Sequence, residues 1–170
     1  MEKKKFELTT DTKIAFGRKL FRIKALIDFG NVNKGELGGY VEKEENLSHE
    51  GNAWIYGNAK ISGNAKICDD AEIYGNAWIC DDAWISGNAK ISGNAWIYDD
   101  ADYLCFKGLG SCNRNTTFFK CKDGHIHVSC GCFSGNLAEF EAKVKETHGE
   151  SKFAKEYLAC INVVKIHFEV

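Results

Sequence analysis

The sequence predicts a mainly β protein whose centre is a parallel β-helix, and three observations point to this fold. Isoleucines recur every six residues, each lies two residues after an alanine, and Gly-Asn or Asp-Asp pairs fill the intervals. An α-helix needs apolar residues three and four apart, and a plain strand needs strict alternation. A period of six fits neither, but it fits a chain that runs straight, turns about a third of a circle and runs straight again. The isoleucines are Ile55, Ile61, Ile67, Ile73, Ile79, Ile85, Ile91 and Ile97.

Each part of the repeat has a physical reason. Ala and Ile are two residues apart, so in extended backbone both point into the coil and the residue between them points out. Gly, Asn and Asp suit the corners, because Gly and Asn tolerate positive φ and Asp caps its own turn. Three repeats make one coil of about 18 residues, and coils stack about 4.8 Å apart. The chain has no proline, which suits strands whose N–H groups must all pair.

The sequence divides into three blocks. They are an N-terminal β cap at 1–36, the β-helix at 37–103 and a C-terminal α+β domain at 104–170. The cap contains an alternating run at 19–26, which predicts a strand. Val41 and Leu47 already follow the period of six, whereas Leu47 and Ile55 are eight apart. Segment 48–51 is therefore predicted to be a small corner loop that holds two extra residues.

The C-terminal block mixes strands and helices. Strands are predicted at 104–106, 117–119 and 125–129, with a turn at Asp123-Gly124. Asn136 followed by Glu139 has the form of a helix start, and a second helix is predicted after Ser151. The last eight residues, 163–170, are rich in β-branched side chains, and both helix and strand stay open there.

Composition excludes several classes of function. The 22 basic and 24 acidic residues nearly balance, so no nucleic-acid or membrane partner is predicted. No apolar run reaches membrane-spanning length, and the Lys-rich start leads into no signal core, so a cytoplasmic protein is predicted. The eight cysteines are then expected to be reduced thiols.

Large aromatic side chains occupy outward positions of the repeat, and such surfaces usually mark interfaces. We predict a homotrimer held through them, or a surface that binds a partner protein. The alternative is that the C-terminal block folds back over these side chains as ordinary core. The candidate interface residues are Trp54, Tyr56, Tyr74, Trp78, Trp84, Trp96 and Tyr98.

The segment 108–117 is the strongest candidate for a ligand site. Its glycines permit a nest of backbone N–H groups, and its Ser, Arg and Thr side chains add donors suited to phosphate or carboxylate. The alternative is a plain turn between strands. The candidate residues are Gly108, Gly110, Ser111, Arg114, Thr116 and Thr117.

No catalytic residue, metal site or cofactor is predicted. Six cysteines and histidines between residues 112 and 132 are possible metal ligands, but their spacing does not match the tight Cys pairs of zinc sites. Buried thiols beside a strand are the favoured interpretation. These six residues are Cys112, Cys121, Cys130, Cys132, His125 and His127.

The chain resembles a family of uncharacterised proteins of bacteriophages and prophages. The resemblance rests on the stretch from Leu8-Thr9 to Gly38-Gly39, on the Gly-Asn-Ala repeats and on a C-terminal pattern. It implies a left-handed β-helix and a phage origin. The C-terminal pattern comprises Gly110-Ser111, Thr117-Phe118-Phe119, Cys130-Gly131-Cys132-Phe133, Glu139-Phe140, His148-Gly149 and Glu156-Tyr157.

This resemblance favours a non-enzymatic binding protein that inhibits a bacterial defence system. The expected target is a host defence protein, as for anti-CRISPR proteins, or a nucleotide-like signal that the chain sequesters. The alternative is catalysis, because residues 41–103 are also similar to hexapeptide-repeat acyltransferases. Those enzymes use acyl-CoA and a His general base, a role for which only His49 is a candidate here.

Overall fold

The computed structural model describes residues 4–170, and it confirms the predicted fold class. A parallel β-helix of about three coils follows an N-terminal antiparallel hairpin. A four-stranded antiparallel sheet with two helices completes the chain.

The N-terminal cap consists of a hairpin that leads into the β-helix. Strands β1 (Phe6–Ala15) and β2 (Arg18–Ala25) are antiparallel, and β2 pairs with β3 (Leu37–Val41). The predicted strand at 19–26 corresponds to β2, whereas β1 was not predicted. The reason is that most β1 side chains stay at least partly exposed, so its apolar positions do not form a clear alternating pattern.

The β-helix is built from short strands, one per repeat, that pair in parallel with the strands one coil away. Trp54 lies opposite Glu72 and Glu72 opposite Lys90, a spacing of 18 residues as predicted. The alanines and isoleucines of the repeat lie inside and are at most 2% exposed. The strands are β4 (Trp54–Ile55), β5 (Lys60–Ile61), β6 (Lys66–Ile67), β7 (Glu72–Ile73), β8 (Trp78–Ile79), β9 (Trp84–Ile85), β10 (Lys90–Ile91) and β11 (Trp96–Ile97).

The corners and the extra loop follow the sequence closely. The first residue of every corner pair from Gly51 to Gly93 takes positive φ, as at Gly63 (65°) and Asp69 (58°), whereas Asp99 of the last pair is extended, with φ −146°. Val41 pairs with Ile61, so the first coil is two residues longer than the later ones. Segment 48–51 forms the predicted corner loop. The Lys5 amine donates to the carbonyls of residues 50, 51 and 53, and burial lowers the pKa of Lys5 to about 8.

The C-terminal block is a sheet with two helices on one face. The predicted strands and both predicted helix starts are confirmed, but β15 was not predicted because it is short and contains a glycine. Segment 163–170 is helical as far as Phe168. The elements are β12 (Tyr103–Leu109), β13 (Arg114–Lys120), β14 (Ile126–Cys130), β15 (Phe133–Asn136), α1 (Leu137–His148) and α2 (Lys152–Phe168).

The two faces of this sheet pack against different partners. Phe118, Ile126 and Val128 pack against α1 and α2, whereas Phe119 and Cys121 belong to the core of the β-helix. Lys122 N donates to Asn94 O at 3.1 Å, so the β13–β14 connection is bonded to the last coil. The sheet thereby covers the end of the β-helix, where unpaired strand edges would otherwise be exposed.

Within residues 4–170, no helix has the length and apolar character needed to cross a bilayer.

Candidate ligand-binding site

The predicted ligand segment 108–117 is a β-hairpin rather than an open loop. Strands β12 and β13 flank a turn in which Asn113 N donates to Gly110 O at 3.3 Å. Gly110 and Asn113 take positive φ, 70° and 49°. The hairpin was the alternative interpretation of this segment.

Three of the six candidate residues have their polar groups buried or hydrogen-bonded within the chain. Gly110 N already donates to Glu156 Oε2 at 3.0 Å, so a nest that includes this amide is not supported. Thr116 is fully buried, and its hydroxyl lies 3.1 Å from the Cys130 sulfur. Thr117 is 1% exposed, and its Oγ1 accepts from Lys90 N at 3.2 Å. Thr117 therefore holds β13 against the β-helix.

Gly108, Ser111 and Arg114 stay exposed at the hairpin. Gly108 has φ 81° at an irregular point of the β12–β13 register, and Ser111 Oγ lies 3.8 Å from the Cys112 sulfur. The thiols of Cys112 and then Cys132 raise the pKa of Arg114, so its guanidinium is a fixed cation. Of the predicted polar residues, Arg114 is thus the one that combines exposure with charge.

Arg114 lies at a cavity of about 330 Å³ between the hairpin and one face of the β-helix, which we name the hairpin groove. The second wall of the groove comes from outward residues of the repeat that were not predicted to form a site. The sequence signal for this wall was the spacing of 18 residues between Asp70 and Asn88 and between Glu72 and Lys90. The groove is lined by Asp70, Glu72, Asn88, Lys90, Asn113, Arg114, Asn115, Thr117, Ser129 and Gly131.

The two cations of the groove differ in their surroundings. Lys90 Nζ lies 2.8 Å from Glu72 Oε2, and the Glu72 side chain is largely buried. Arg114 has no carboxylate within ion-pair distance in the part of the chain that the structure describes. Gly131 lies so close to the guanidinium that a Cβ there would collide with it, so this glycine makes room for Arg114. The groove therefore presents Arg114 as a cation without an ion-pair partner, among amide and hydroxyl groups and the Asp70 carboxylate.

The candidate interface residues do not form one exposed surface. Trp54 is 0% exposed because Phe6 and Phe29 pack on its ring, so its prediction as an interface residue is wrong. The N-terminal cap, not the C-terminal block, covers it. Trp78 and Trp96 are partly buried, and Phe16 stacks on Trp78 with 3.5 Å between ring centroids.

The remaining aromatic residues are more open. Tyr56 and Tyr74 are partly exposed and stack on each other, with ring centroids 4.5 Å apart. Trp84 is 54% exposed and Tyr98 is 42% exposed. Trp84 lies on the face formed by β6 and β9, a separate two-stranded sheet. Trp84 and Tyr98 are therefore the predicted interface residues that are most accessible to a partner.

The His49 ring is held by contacts with other residues of the chain. Its Nδ1 accepts from Lys5 N at 3.1 Å, its Nε2 lies 2.7 Å from Glu44 Oε1, and its ring stacks on Phe6. Both ring nitrogens are therefore engaged within the chain. A general base needs one of them free to take a proton from a substrate.

Three of the six possible metal ligands come together. The donor atoms of Cys121, His125 and His127 all lie within 4.8 Å of one another. Burial, and then the charge of Asp123, raise the pKa of Cys121 to about 11, whereas burial and then His125 lower that of His127. Cys130 lies instead in the core under α2, where its sulfur is 3.8 Å from the Tyr157 hydroxyl.

No protein-family model matches the chain, and a search of curated protein sequences finds no relative.

Proposed function

We propose that the chain is a non-enzymatic binding protein and that the hairpin groove holds a phosphate-bearing, nucleotide-like ligand. The observation that carries the proposal is Arg114, an exposed cation without a carboxylate partner in residues 4–170, beside a polar cavity. A phosphate group suits such a guanidinium, because two N–H groups of the planar guanidinium can donate in parallel to two phosphate oxygens.

The rest of the groove suits the remainder of a nucleotide. Asn88, Asn113 and Asn115 offer amide donors and acceptors of the kind that read a base edge, and Ser129 can bond to a sugar hydroxyl. Glu72 is held by Lys90, so it does not repel an anion as a free carboxylate would. A volume of about 330 Å³ lies at the small end of ligand pockets, which run from roughly 300 to 1,000 Å³. A single nucleotide unit fits this size.

Two features support binding without turnover. No His or Cys is among the described residues that line the groove, so its walls lack the imidazole that most often acts as a general base and the thiol that is the strongest common nucleophile. His49, on which the acyltransferase alternative depends, has both ring nitrogens engaged. We therefore favour capture of a ligand over its conversion.

The cellular role follows from the resemblance to bacteriophage and prophage proteins. We place the chain in the host bacterial cytoplasm, as an inhibitor of a bacterial defence system that sequesters a nucleotide signal. The same proposal has a second form, in which the exposed aromatic residues bind and block a host defence protein. The left-handed sense of the coil and its kinship to hexapeptide-repeat proteins are also part of this proposal.

The Arg114→Ala variant is expected to bind the ligand roughly ten- to a hundred-fold more weakly, the effect of removing a charged hydrogen-bond donor. Isothermal titration calorimetry with mononucleotides, cyclic dinucleotides and inorganic phosphate checks this. The thermal midpoint should stay nearly unchanged, because the Arg114 side chain is exposed. Lys107→Ala is the matched control, an exposed cation on the same hairpin outside the groove.

Equal affinity of the wild type and Arg114→Ala for every nucleotide tested contradicts the assignment of the groove. Chromatography of each nucleotide after incubation tests the second half of the proposal. Recovery of a modified nucleotide would show turnover, whereas an unchanged nucleotide is expected.

We also propose a homotrimer that forms through the face carrying Trp84. Light scattering at micromolar concentration is expected to give the mass of three chains. Trp84→Lys should shift this mass towards one chain, because it places a charge in a surface that assembly dehydrates. Ile166→Lys, at a residue of α2 that is 79% exposed, should leave the mass unchanged. A wild-type protein that stays monomeric rejects the trimer.

A further inference from the structure

Three metal-binding side chains converge at the tip of the β13–β14 hairpin. Cys121 directly follows β13, His125 directly precedes β14, and His127 lies two residues further on the same face. Their donor atoms all lie within 4.8 Å of one another. Tetrahedral zinc with bonds of about 2.0–2.3 Å has donor atoms roughly 3.3–3.8 Å apart, so small side-chain rotations suffice to complete the geometry.

The backbone holds these side chains in place. Cys121 N donates to His125 O at 3.0 Å, and Gly124 N donates to Cys121 O at 2.9 Å. The bond from Lys122 N to Asn94 O connects the same turn to the last coil of the β-helix. Cys121 is 6% exposed, whereas His125 is exposed, so the group is open to solvent on one side.

The polar neighbours are those that metal-binding histidines commonly have. His125 Nδ1 lies 2.5 Å from Asp123 Oδ1, and His127 Nε2 lies 2.8 Å from Ser134 Oγ. Each imidazole thus uses one ring nitrogen for orientation and keeps the other for a metal ion. The Asp123 carboxylate also adds a negative charge that favours a cation.

We propose that Cys121, His125 and His127 form a binding site for Zn²⁺. One thiolate and two imidazoles suit zinc, whereas Mg²⁺ and Ca²⁺ prefer sets of oxygen ligands. On binding, the ion takes the place of the Cys121 thiol proton, which passes to the solvent. Three protein donors leave the fourth position for water. The site shares no residue with the hairpin groove, so it stands apart from the proposed nucleotide binding.

The position of the site predicts what the ion does for the fold. It joins the end of β13 to the start of β14 where the hairpin contacts the last coil. Because the folded hairpin holds the three donors together, we expect zinc to bind the folded state more tightly than the unfolded chain and so to stabilise it by mass action. The thermal midpoint of the full chain is therefore expected to rise as zinc is added.

The test uses the purified full chain after chelator treatment, titrated with Co²⁺ and then Zn²⁺. We expect one ion per chain, a thiolate-to-cobalt charge-transfer band and the visible bands of tetrahedral cobalt, all abolished by one equivalent of Zn²⁺. His125→Ala should weaken cobalt binding about ten-fold or more, since it removes one of three protein donors. Cys121→Ser should abolish the charge-transfer band. If Cys121→Ser does not fold, the His125→Ala titration tests the site, because His125 is exposed and its truncation should leave the fold intact.

The double variant Cys112→Ser/Cys132→Ser is the matched control. Both cysteines are exposed thiols of the same domain outside the cluster, so stoichiometry and spectrum should be those of the wild type. Absence of a charge-transfer band at one equivalent of Co²⁺ overturns the site. So does a band that disappears in the double variant but persists in His125→Ala with wild-type affinity.

Discussion

Ile73→Asp is expected to abolish folding of the β-helix. Ile73 is 0% exposed and lies in the middle coil, with Ile55 opposite it on one side and Ile91 on the other. An aspartate there would place a charge among apolar side chains without a partner, at a cost of several kcal/mol or more. That cost is comparable with the whole stability of a domain, which is typically about 5–15 kcal/mol. Far-UV circular dichroism and the loss of a cooperative thermal transition measure the effect.

Ile73→Val is the matched control for this position. It removes one methylene group and keeps the branched shape, so a loss of only about 0.5–1.5 kcal/mol is expected. A folded Ile73→Asp protein with a wild-type midpoint would mean that the alanines and isoleucines do not line the interior.

Trp54→Ala is expected to lower the free energy of unfolding by about 3–5 kcal/mol, the range for truncation of a buried large aromatic side chain. Phe6 and Phe29 pack edge-on against the indole, with ring centroids 6.4 and 5.3 Å away, so the truncation leaves a cavity between cap and coil. Urea unfolding followed by circular dichroism measures the loss.

Two further variants sharpen the Trp54 test. Lys66→Ala changes the same repeat position where it is exposed, so a change within about 0.5 kcal/mol is expected. Trp54→Phe keeps an aromatic ring and removes an indole N–H that has no hydrogen-bond partner in residues 4–170, so its loss should be smaller than that of alanine. Equal losses for Trp54→Ala and Lys66→Ala would contradict the burial of Trp54 under the cap.

The candidate site could be predicted only in part. Arg114 was predicted as a ligand residue and lies at the hairpin groove, but Thr116 and Thr117 point into packed interfaces. A sequence shows that threonine can donate a hydrogen bond, and strand register decides whether its hydroxyl meets solvent or a neighbour. The wall of the groove that contains Lys90 was not predicted, because Lys90 faces Arg114 only after the C-terminal sheet packs on the coil.

The metal ligands show how register selects among equal candidates. Cys121, His125 and His127 share one face of the hairpin, while Cys130, on the other side of the same sheet, enters the core under the helices. The six residues were equal candidates in the sequence, because the predicted turn at Asp123-Gly124 does not determine which residues of the two strands share a face. A shift of one residue would exchange the two faces.

The sequence by itself determined the β-helix, its coil length, its inward residues and the two-residue insertion in the first coil. The repeat has a constant spacing because each residue contacts its equivalent one coil away, and a break in that spacing marks the insertion. These contacts are therefore visible in the sequence as a period. Only the tertiary structure decided which outward faces are covered. Trp54 and Trp84 occupy the same repeat position, yet Phe6 and Phe29 bury the first and leave the second 54% exposed. Contacts of this kind join segments outside the repeat to single coils, so they produce no periodic pattern in the sequence.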